Sequence, residues 1–516
     1  MSEIFSNSDI CQNIQKTLNG IVRIILILAF FRNIAFAQVP VRMGTATAEE
    51  IAAAKGVVEG NFDSVKAHNA YIYALGLNNP LLVDEYDRWI QNNPKNKIIP
   101  LSIGTAYYNA EMPQARKFLL AASRLDSNNA KIWFMLSGDA WMRGETDLSK
   151  EYLHKAALAD SLNTDYAAYE LMSSQDIKDS IYERKVIDFV KRFPDNGNGA
   201  KLLYSLAVHS MNVSDKVNYF EQLRKYYPPK KFDRSAAGMV MLADIYLQTD
   251  LIKAADLINE MGEKGDWGVR KLLVQGLIRI DSLSKVQDYG QVNTALQKLQ
   301  LPGFNYLENF LALKKSYFWD KAGEVRRAYD SLIVVYAKLP TDQVYSALET
   351  YGNKIGKDRH RLDSDISIIR NESAVAAYPF ELARYSGSGN LRLGDLKGKV
   401  VLLTFWYPGC NPCRSEFPYF EAVINKVKDN NLVYIGVNVV PEQDAIVPAI
   451  IKNNKYSFIP LRGTSAFADK YYGVKGVPEN FLIDKSGRII FKKFRINETN
   501  QRTLELMVTS LLGRNG

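Results

Sequence analysis

From about Asn61 to Pro340 apolar positions recur at helical spacing, with few alternating, strand-like runs. A longer period overlies this one. Helix-ending positions fall at Pro94, Ser127, Ser161, Pro194, Pro228 and Gly262, in steps of 33, 34, 33, 34 and 34 residues. Within one step, Trp133, Leu136 and Ala140 share a face of a first helix. Ser149, Leu153 and Ala156 share a face of a second, which Ser161 closes. The preceding step places Ile99, Ala106, Ala115, Leu119, Ala122 and Ser127 in the same slots. Small residues suit places where two helices cross closely, and large ones such as Trp133 fill the gap to the next pair.

This period and side-chain pattern resemble the tetratricopeptide repeat family over roughly Asn61 to Gly262. The copies are degenerate: Ser137 stands where the family usually has Gly, and later steps lengthen to about 40 at Pro302 and Pro340. A bundle of similar α-hairpins without true repeats would give much the same period. The resemblance implies a concave groove for a peptide ligand, which the sequence does not name. From Thr341 to about Ala374 the chain turns charged, with Lys357-Asp358-Arg359-His360-Arg361, Asp363 and Asp365. A final helix and a connecting segment are expected there. No flexible Gly/Ser linker is present, so the modules on either side are expected to pack.

After Ala374 the pattern switches to strands and turns. Leu391-Arg392-Leu393 precedes a turn at Leu396-Lys397-Gly398-Lys399. Val400 to Trp406 is a continuous apolar, β-branched run, as expected of a central strand buried on both faces. Tyr407-Pro408-Gly409 breaks it, and a helix is expected from Cys410 past Phe420 and Val423, with a kink at Pro418. A second buried strand is predicted at Leu432–Val437, helices near Asp444–Asn453 and Ser465–Tyr472, a hairpin spanning Asn480–Asp484 and Arg488–Phe491, and a last helix near Gln501–Leu512. The fold class expected is therefore an all-α helical repeat array followed by an α/β domain. The boundaries expected are 1–37 for a leader, 38–340 for the array, 341–374 for the connector and 375–516 for the last domain.

Composition narrows the picture. The chain has 516 residues, enough for several cores, and its 47% hydrophobic content is that of a globular protein. The net charge is +9, yet no dense Lys/Arg stripe interleaved with aromatics appears, so nucleic acid is not an expected partner. From Val375 onward there are 19 Lys/Arg against 12 Asp/Glu, an excess read first as a solvated basic surface. Near the N-terminus, Lys16 and Arg23 precede the apolar run Ile24–Phe31. Ala35-Phe36-Ala37 then forms a small-x-small cleavage signal, with Gln38 as the expected mature N-terminus. The run is too short to span a bilayer, which takes roughly 20 residues. An export signal follows, with an uncleaved anchor as the other reading, and a location in the bacterial periplasm or envelope. Of three cysteines, Cys11 lies in the leader. Cys410 and Cys413 would then be the only thiols left, a thrift suited to an oxidising compartment.

The chemistry concentrates on Cys410-Asn411-Pro412-Cys413. A thiolate, not a thiol, attacks a disulfide. At a helix N-terminus, free N–H groups and the helix dipole favour the thiolate of Cys410. Cys413, one turn on, can resolve a mixed disulfide, and Pro412 stiffens the first turn without costing a needed hydrogen bond. Competing chemistries lack their parts. Zinc needs about four ligands, and all four histidines (His68, His154, His209, His360) lie outside this domain. Haem attachment wants CxxCH, but Arg414 follows Cys413. No metal site and no cofactor is expected. A purely structural disulfide would close a loop too short to gain much.

Lys397 to Trp406, followed by Cys410-Asn411-Pro412-Cys413-Arg414-Ser415-Glu416-Phe417-Pro418, resembles the exported ResA/TlpA-like branch of thioredoxins over about Val375 to Arg514. That resemblance implies a thioredoxin-like fold and thiol–disulfide exchange with protein partners, acting as reductase or isomerase. It implies an upstream thiol electron donor as well. It implies a cis Val477-Pro478 peptide facing the cysteines, with Pro478 placing the substrate backbone, and Glu416 as an aid to proton transfer unless it is a solvent-facing helix carboxylate. Val477, Trp406 and Pro412 are the residues expected to position a client around the pair. Tyr407-Pro408-Gly409 departs from the family's usual small residue and Trp, so the docking surface and potential are its own. Two alternatives stand beside this reading. One is a helical-repeat scaffold whose last domain only binds. The other is a peroxidase, because Phe405-Trp406-Tyr407-Pro408 resembles peroxiredoxins, although the Thr that supports their reactive cysteine is missing.

Overall fold

The computed structural model describes residues 46–174, 180–303, 305–387 and 389–513. The leader with Lys16, Arg23, Gln38 and Cys11 lies outside the described residues. The described chain forms two compact units that divide after Ser127. No helix among the described residues is long and apolar enough to cross a membrane.

The first unit holds the helices Ala48–Gly60, Val65–Leu75, Pro80–Asn92, Ile98–Asn109 and Ala115–Leu125. Its core is aromatic: Trp89 meets Tyr86 edge-on at 4.9 Å, and Tyr107 stacks on Phe118 at 6.0 Å. His68 is a core residue, satisfied by the Tyr86 hydroxyl at 2.9 Å and the Phe62 carbonyl at 3.0 Å. The helices Ile98–Asn109 and Ala115–Leu125 approach most closely at Gly104. A Cβ there would lie 3.0 Å from the Leu119 side chain, so Gly104 joins the small residues that let these two helices pack closely.

The second unit opens as a helical repeat array. First helices of its pairs begin at Ala130, Thr164, Gly197, Asp233, Asp266, Glu308 and Asp342. The six helix-ending positions from Pro94 to Gly262 sit one or two residues past a helix: Asn92, Leu125, Ala159, Arg192, Tyr226 and Met261 are the last helical residues. Short polar side chains mark the turns. Asn163, Asn196, Asn212, Asp250 and Asp288 each accept hydrogen bonds from backbone N–H groups of the first turn that follows. The step at Pro302 lengthens because Asp266–Lys285 is a 20-residue helix. Ser137 is buried in the Gly-like slot, with its hydroxyl satisfied by the Phe134 carbonyl at 2.8 Å. The Ser137 carbonyl in turn accepts the Ser149 hydroxyl at 2.8 Å.

The segment after Thr341 differs from the single helix expected. It is a pair, Asp342–Lys354 and Arg359–Ser373, packed on the helix Val325–Lys338. Gly356, at φ +73, makes the turn, and Asp358 caps the second helix through the Arg361 N–H at 2.9 Å. Leu362 and Ile366 are buried one turn apart. The charges around them masked that apolar stripe.

A six-stranded sheet follows, in the order β1 (Val375–Ala376), β8 (Arg488–Lys492), β7 (Glu479–Ile483), β4 (Val400–Trp406), β5 (Leu432–Asn438), β6 (Ile459–Arg462). β4, β5 and β6 run parallel, while β7 and β8 run antiparallel to their neighbours. β2 (Glu381–Ala383) and β3 (Asn390–Arg392) form a separate hairpin. Helices α1 (Asn411–Val427), α2 (Val447–Asn454), α3 (Ser465–Tyr472) and α4 (Gln501–Leu512) complete the domain. This is a thioredoxin-like α/β fold. All seven residues of β4 are buried, as an apolar run between two sheet neighbours requires. The sequence reading did not include β1, β2 or β6. β6 is four residues long and carries Pro460, which an edge strand tolerates because one side of it needs no ladder N–H.

Candidate functional site

Cys410 is the N-cap of α1. Its backbone is extended (φ −74°, ψ 95°), and its Sγ accepts the Cys413 N–H at 3.2 Å. Two contacts hold the approach to the helix. The Cys410 N–H donates to the Tyr407 carbonyl at 3.0 Å, and the Gly409 N–H donates to the Oε1 of buried Gln443 at 2.9 Å. The segment Tyr407-Pro408-Gly409, where the sequence departs from the related branch, is thus pinned from the loop after β5. Cys410 and Cys413 are joined as a disulfide with Cα atoms 5.3 Å apart. Pro412 occupies the first turn of α1 and is exposed, beside exposed Asn411. The helix runs unbroken through Pro418.

The Val477–Pro478 peptide is cis. Glu479, the next residue, pairs with Phe405, so the sheet register carries Pro478 to the Trp406 end of β4, from which the chain leads to Cys410. Val477 is half-buried and Pro478 buried. Trp406 is placed otherwise than expected. It is fully buried, edge-on to Phe417 and Phe458 at 5.3 Å each. It shapes the core under the helix and presents no surface to a client.

Glu416 is buried, at 5% exposure, and does not face solvent. Its Oε2 accepts the Asn480 Nδ2–H at 2.7 Å and its Oε1 accepts the Ile496 N–H at 3.2 Å. Burial pushes its carboxyl up to about 7, against the opposing pull of the Asn480 hydrogen bond, the Arg495 charge and the Ile496 N–H. A carboxyl poised there can take up and release a proton near neutrality. Asn480, which also donates to the Phe494 carbonyl at 2.9 Å, was missed in the sequence reading. Its signal was present: one amide in the otherwise apolar buried run Asn480-Phe481-Leu482-Ile483. Among the described residues no cluster of three or more His, Cys, Asp or Glu side chains could hold a metal ion.

Residues 374–507 match the Redoxin family model. They form a redoxin domain. Across 100 residues the domain is 35% identical to the thiol-disulfide oxidoreductase ResA of Bacillus thuringiensis subsp. konkukian, a match covering 19% of this chain and 57% of that protein. The ResA of Bacillus subtilis is 33% identical over 100 residues, 19% of this chain and 55% of that protein. The chain thus spans a little over half the length of these curated relatives. The thioredoxin domain of a thiol-disulfide oxidoreductase from Bacteroides vulgatus is 28% identical in its crystal structure, covering 26% of this chain and 96% of that one, with a TM-score of 0.24. The match begins at Ala374, the C-cap of the helix Arg359–Ser373, and β1 starts at the next residue, so array and sheet join without a linker.

Proposed function

We propose that this chain is an exported thiol–disulfide oxidoreductase that exchanges disulfides with protein partners through Cys410 and Cys413. The observation that carries the reading is the Cys410–Cys413 pair at the N-terminus of α1, with a buried carboxyl, Glu416, titrating near neutrality on the same helix. In the reducing direction, the Cys410 thiolate attacks one sulfur of a client disulfide. A Cys410–client disulfide forms, the client S–S bond breaks, and the leaving client sulfur takes a proton. Cys413 then loses its proton, with Glu416 as acceptor, and attacks the Cys410 sulfur. The client leaves as a dithiol and the pair is left oxidised, to be reduced by an upstream thiol donor. In this reading Pro478 and Val477 would position the client backbone, and exposed Pro412 would meet the client beside the pair. The array would hold or select the client in its groove. Export rests on the basic, apolar and Ala35-Phe36-Ala37 segments of the leader.

The test is a Cys413→Ser variant in a bacterial envelope. It is expected to accumulate mixed disulfides through Cys410, and the wild type to accelerate insulin reduction by dithiothreitol. A variant that traps nothing, beside a wild type without insulin activity, would leave the domain as a binding module.

A further inference from the structure

Arg414 directly follows the second cysteine, and an exposed cation would be its ordinary state on a helix. Instead it is only 9% exposed. Its Nη1 donates to the Trp141 carbonyl at 2.6 Å, and its guanidinium lies 3.7 Å from the centroid of the Trp141 indole. Trp141 belongs to the last turn of the array helix Ala130–Met142, 273 residues away in sequence. Asn453 supports the same junction by donating to the Arg143 carbonyl at 2.9 Å.

Among the described residues no carboxylate pairs with this guanidinium. The polar groups facing it are the Trp141 carbonyl and the Tyr456 phenol, from the segment before β6. The nearest array carboxylate in sequence, Asp139, is held by Arg143 at 3.0 Å, and the carboxyl on its own helix, Glu416, is engaged by Asn480 and Ile496. A buried cation without a counter-ion is costly, and it interacts strongly with any charge that appears beside it. The disulfide carries no charge. Its reduction creates one: the pair takes two electrons and a proton, giving a Cys410 thiolate and a Cys413 thiol. Cys410 lies four residues before Arg414, and its carbonyl accepts the Arg414 N–H at 3.1 Å. Residues so spaced share a helix face, and long helical side chains lean toward the N-terminus, here the Cys410 end.

We propose that Arg414 is the electrostatic partner of the Cys410 thiolate, and that Trp141 of the helical array is the positioning residue that keeps its guanidinium dried and in place. This rests on the disulfide-exchange reading above and deepens it. The array sets the reduction potential of the redoxin domain as well as offering a surface for clients. A stabilised thiolate favours the reduced pair, so removing either residue lowers the potential and makes the pair a stronger reductant.

The experiment equilibrates the full chain with mixtures of reduced and oxidised glutathione and counts free thiols by alkylation and mass spectrometry. Arg414→Gln is expected to shift the equilibrium about tenfold toward the disulfide, the size of one unit of thiol pKa from a nearby charge, or ~30 mV. Trp141→Ala is expected to shift it the same way, by roughly threefold or more. The double variant should go no further than Arg414→Gln, because the two act through one charge. Asn453→Ala, which touches the junction but not the guanidinium, should match the wild type. If Trp141→Ala fails to fold, Trp141→Phe keeps a ring with a weaker cation–π contact and should fall in between. An unchanged potential in Arg414→Gln overturns the charge pairing. A shift in Arg414→Gln with none in the Trp141 variants, or additive shifts in the double, overturns the role of the array. Glutathione reads the potential without a client. A wild-type pair that equilibrates with it yet reduces no protein disulfide therefore counts against the oxidoreductase reading, and the variant potentials still decide this one.

Discussion

The Asn480 amide and the Glu416 carboxylate meet at 2.7 Å, one supplied by the strand after the cis-proline and the other by the helix that Cys410 caps. The hydrogen bond stabilises the charged carboxylate, while burial, the larger effect, favours the neutral acid. The balance leaves the group near half-charged at neutral pH.

Insulin reduction by the wild type should therefore rise with pH through an inflection near 7, as Glu416 becomes able to accept the Cys413 proton. Glu416→Gln should lose that inflection and slow turnover about tenfold to a hundredfold. Stopped-flow resolution of the mixed disulfide across pH 5 to 9 checks this, and an unaltered profile would remove Glu416 from the mechanism.

Asn480→Ala takes away a bond that holds the carboxyl down. The inflection should move upward by about one unit while the reaction persists. A profile that stays in place would mean that the Asn480 hydrogen bond does not help set the value.

The same group links stability to pH. Its folded value, about 7, lies above the 4.5 of a free glutamate, so the folded domain retains a proton that the unfolded chain releases. Stability is full below about pH 4.5, declines as pH rises to about 7, and is level above that, a loss of up to ~3 kcal/mol. Glu416→Gln should flatten this slope in urea titrations at several pH values.

Gly436 lies mid-strand in β5, where a Cβ would approach the Phe458 ring at 2.6 Å and the Trp406 Nε1 at 2.9 Å. Gly436→Ala should cost about 1–3 kcal/mol by overpacking the core beneath α1. Thermal unfolding of the variant tests it, and an unchanged melting temperature would mean that both rings can yield.

In the array, Asp244 and Arg270 form a buried bidentate pair at 2.9 and 3.2 Å, and the Tyr306 N–H donates to the same carboxylate at 2.9 Å. Asp244→Ala removes the carboxylate that this buried guanidinium holds bidentately and should destabilise by about 3–5 kcal/mol, whereas replacing both residues with apolar ones should cost far less. A double-mutant cycle measures the difference.

Local patterns determined much of this protein. The 33- and 34-residue period located the ends of the helix pairs, because Asn, Asp, Pro and Gly punctuate a chain wherever it turns. The run Val400 to Trp406 marked the central strand, and four residues marked the reactive pair, since a helix N-terminus and CxxC spacing act over one turn. Other features had no local cause. Trp406 is expected to position a client, whereas packing against Phe417 and Phe458, from other elements, buries it. Nothing in Glu416 itself distinguishes a solvated carboxylate from one titrating near 7. That is decided by desolvation and by Asn480 and Ile496, 64 and 80 residues further on. The seat of Arg414 on Trp141 lies further still beyond a sequence pattern. Charge–aromatic contact and burial depend on which surfaces the fold brings together, and only the tertiary structure specifies that.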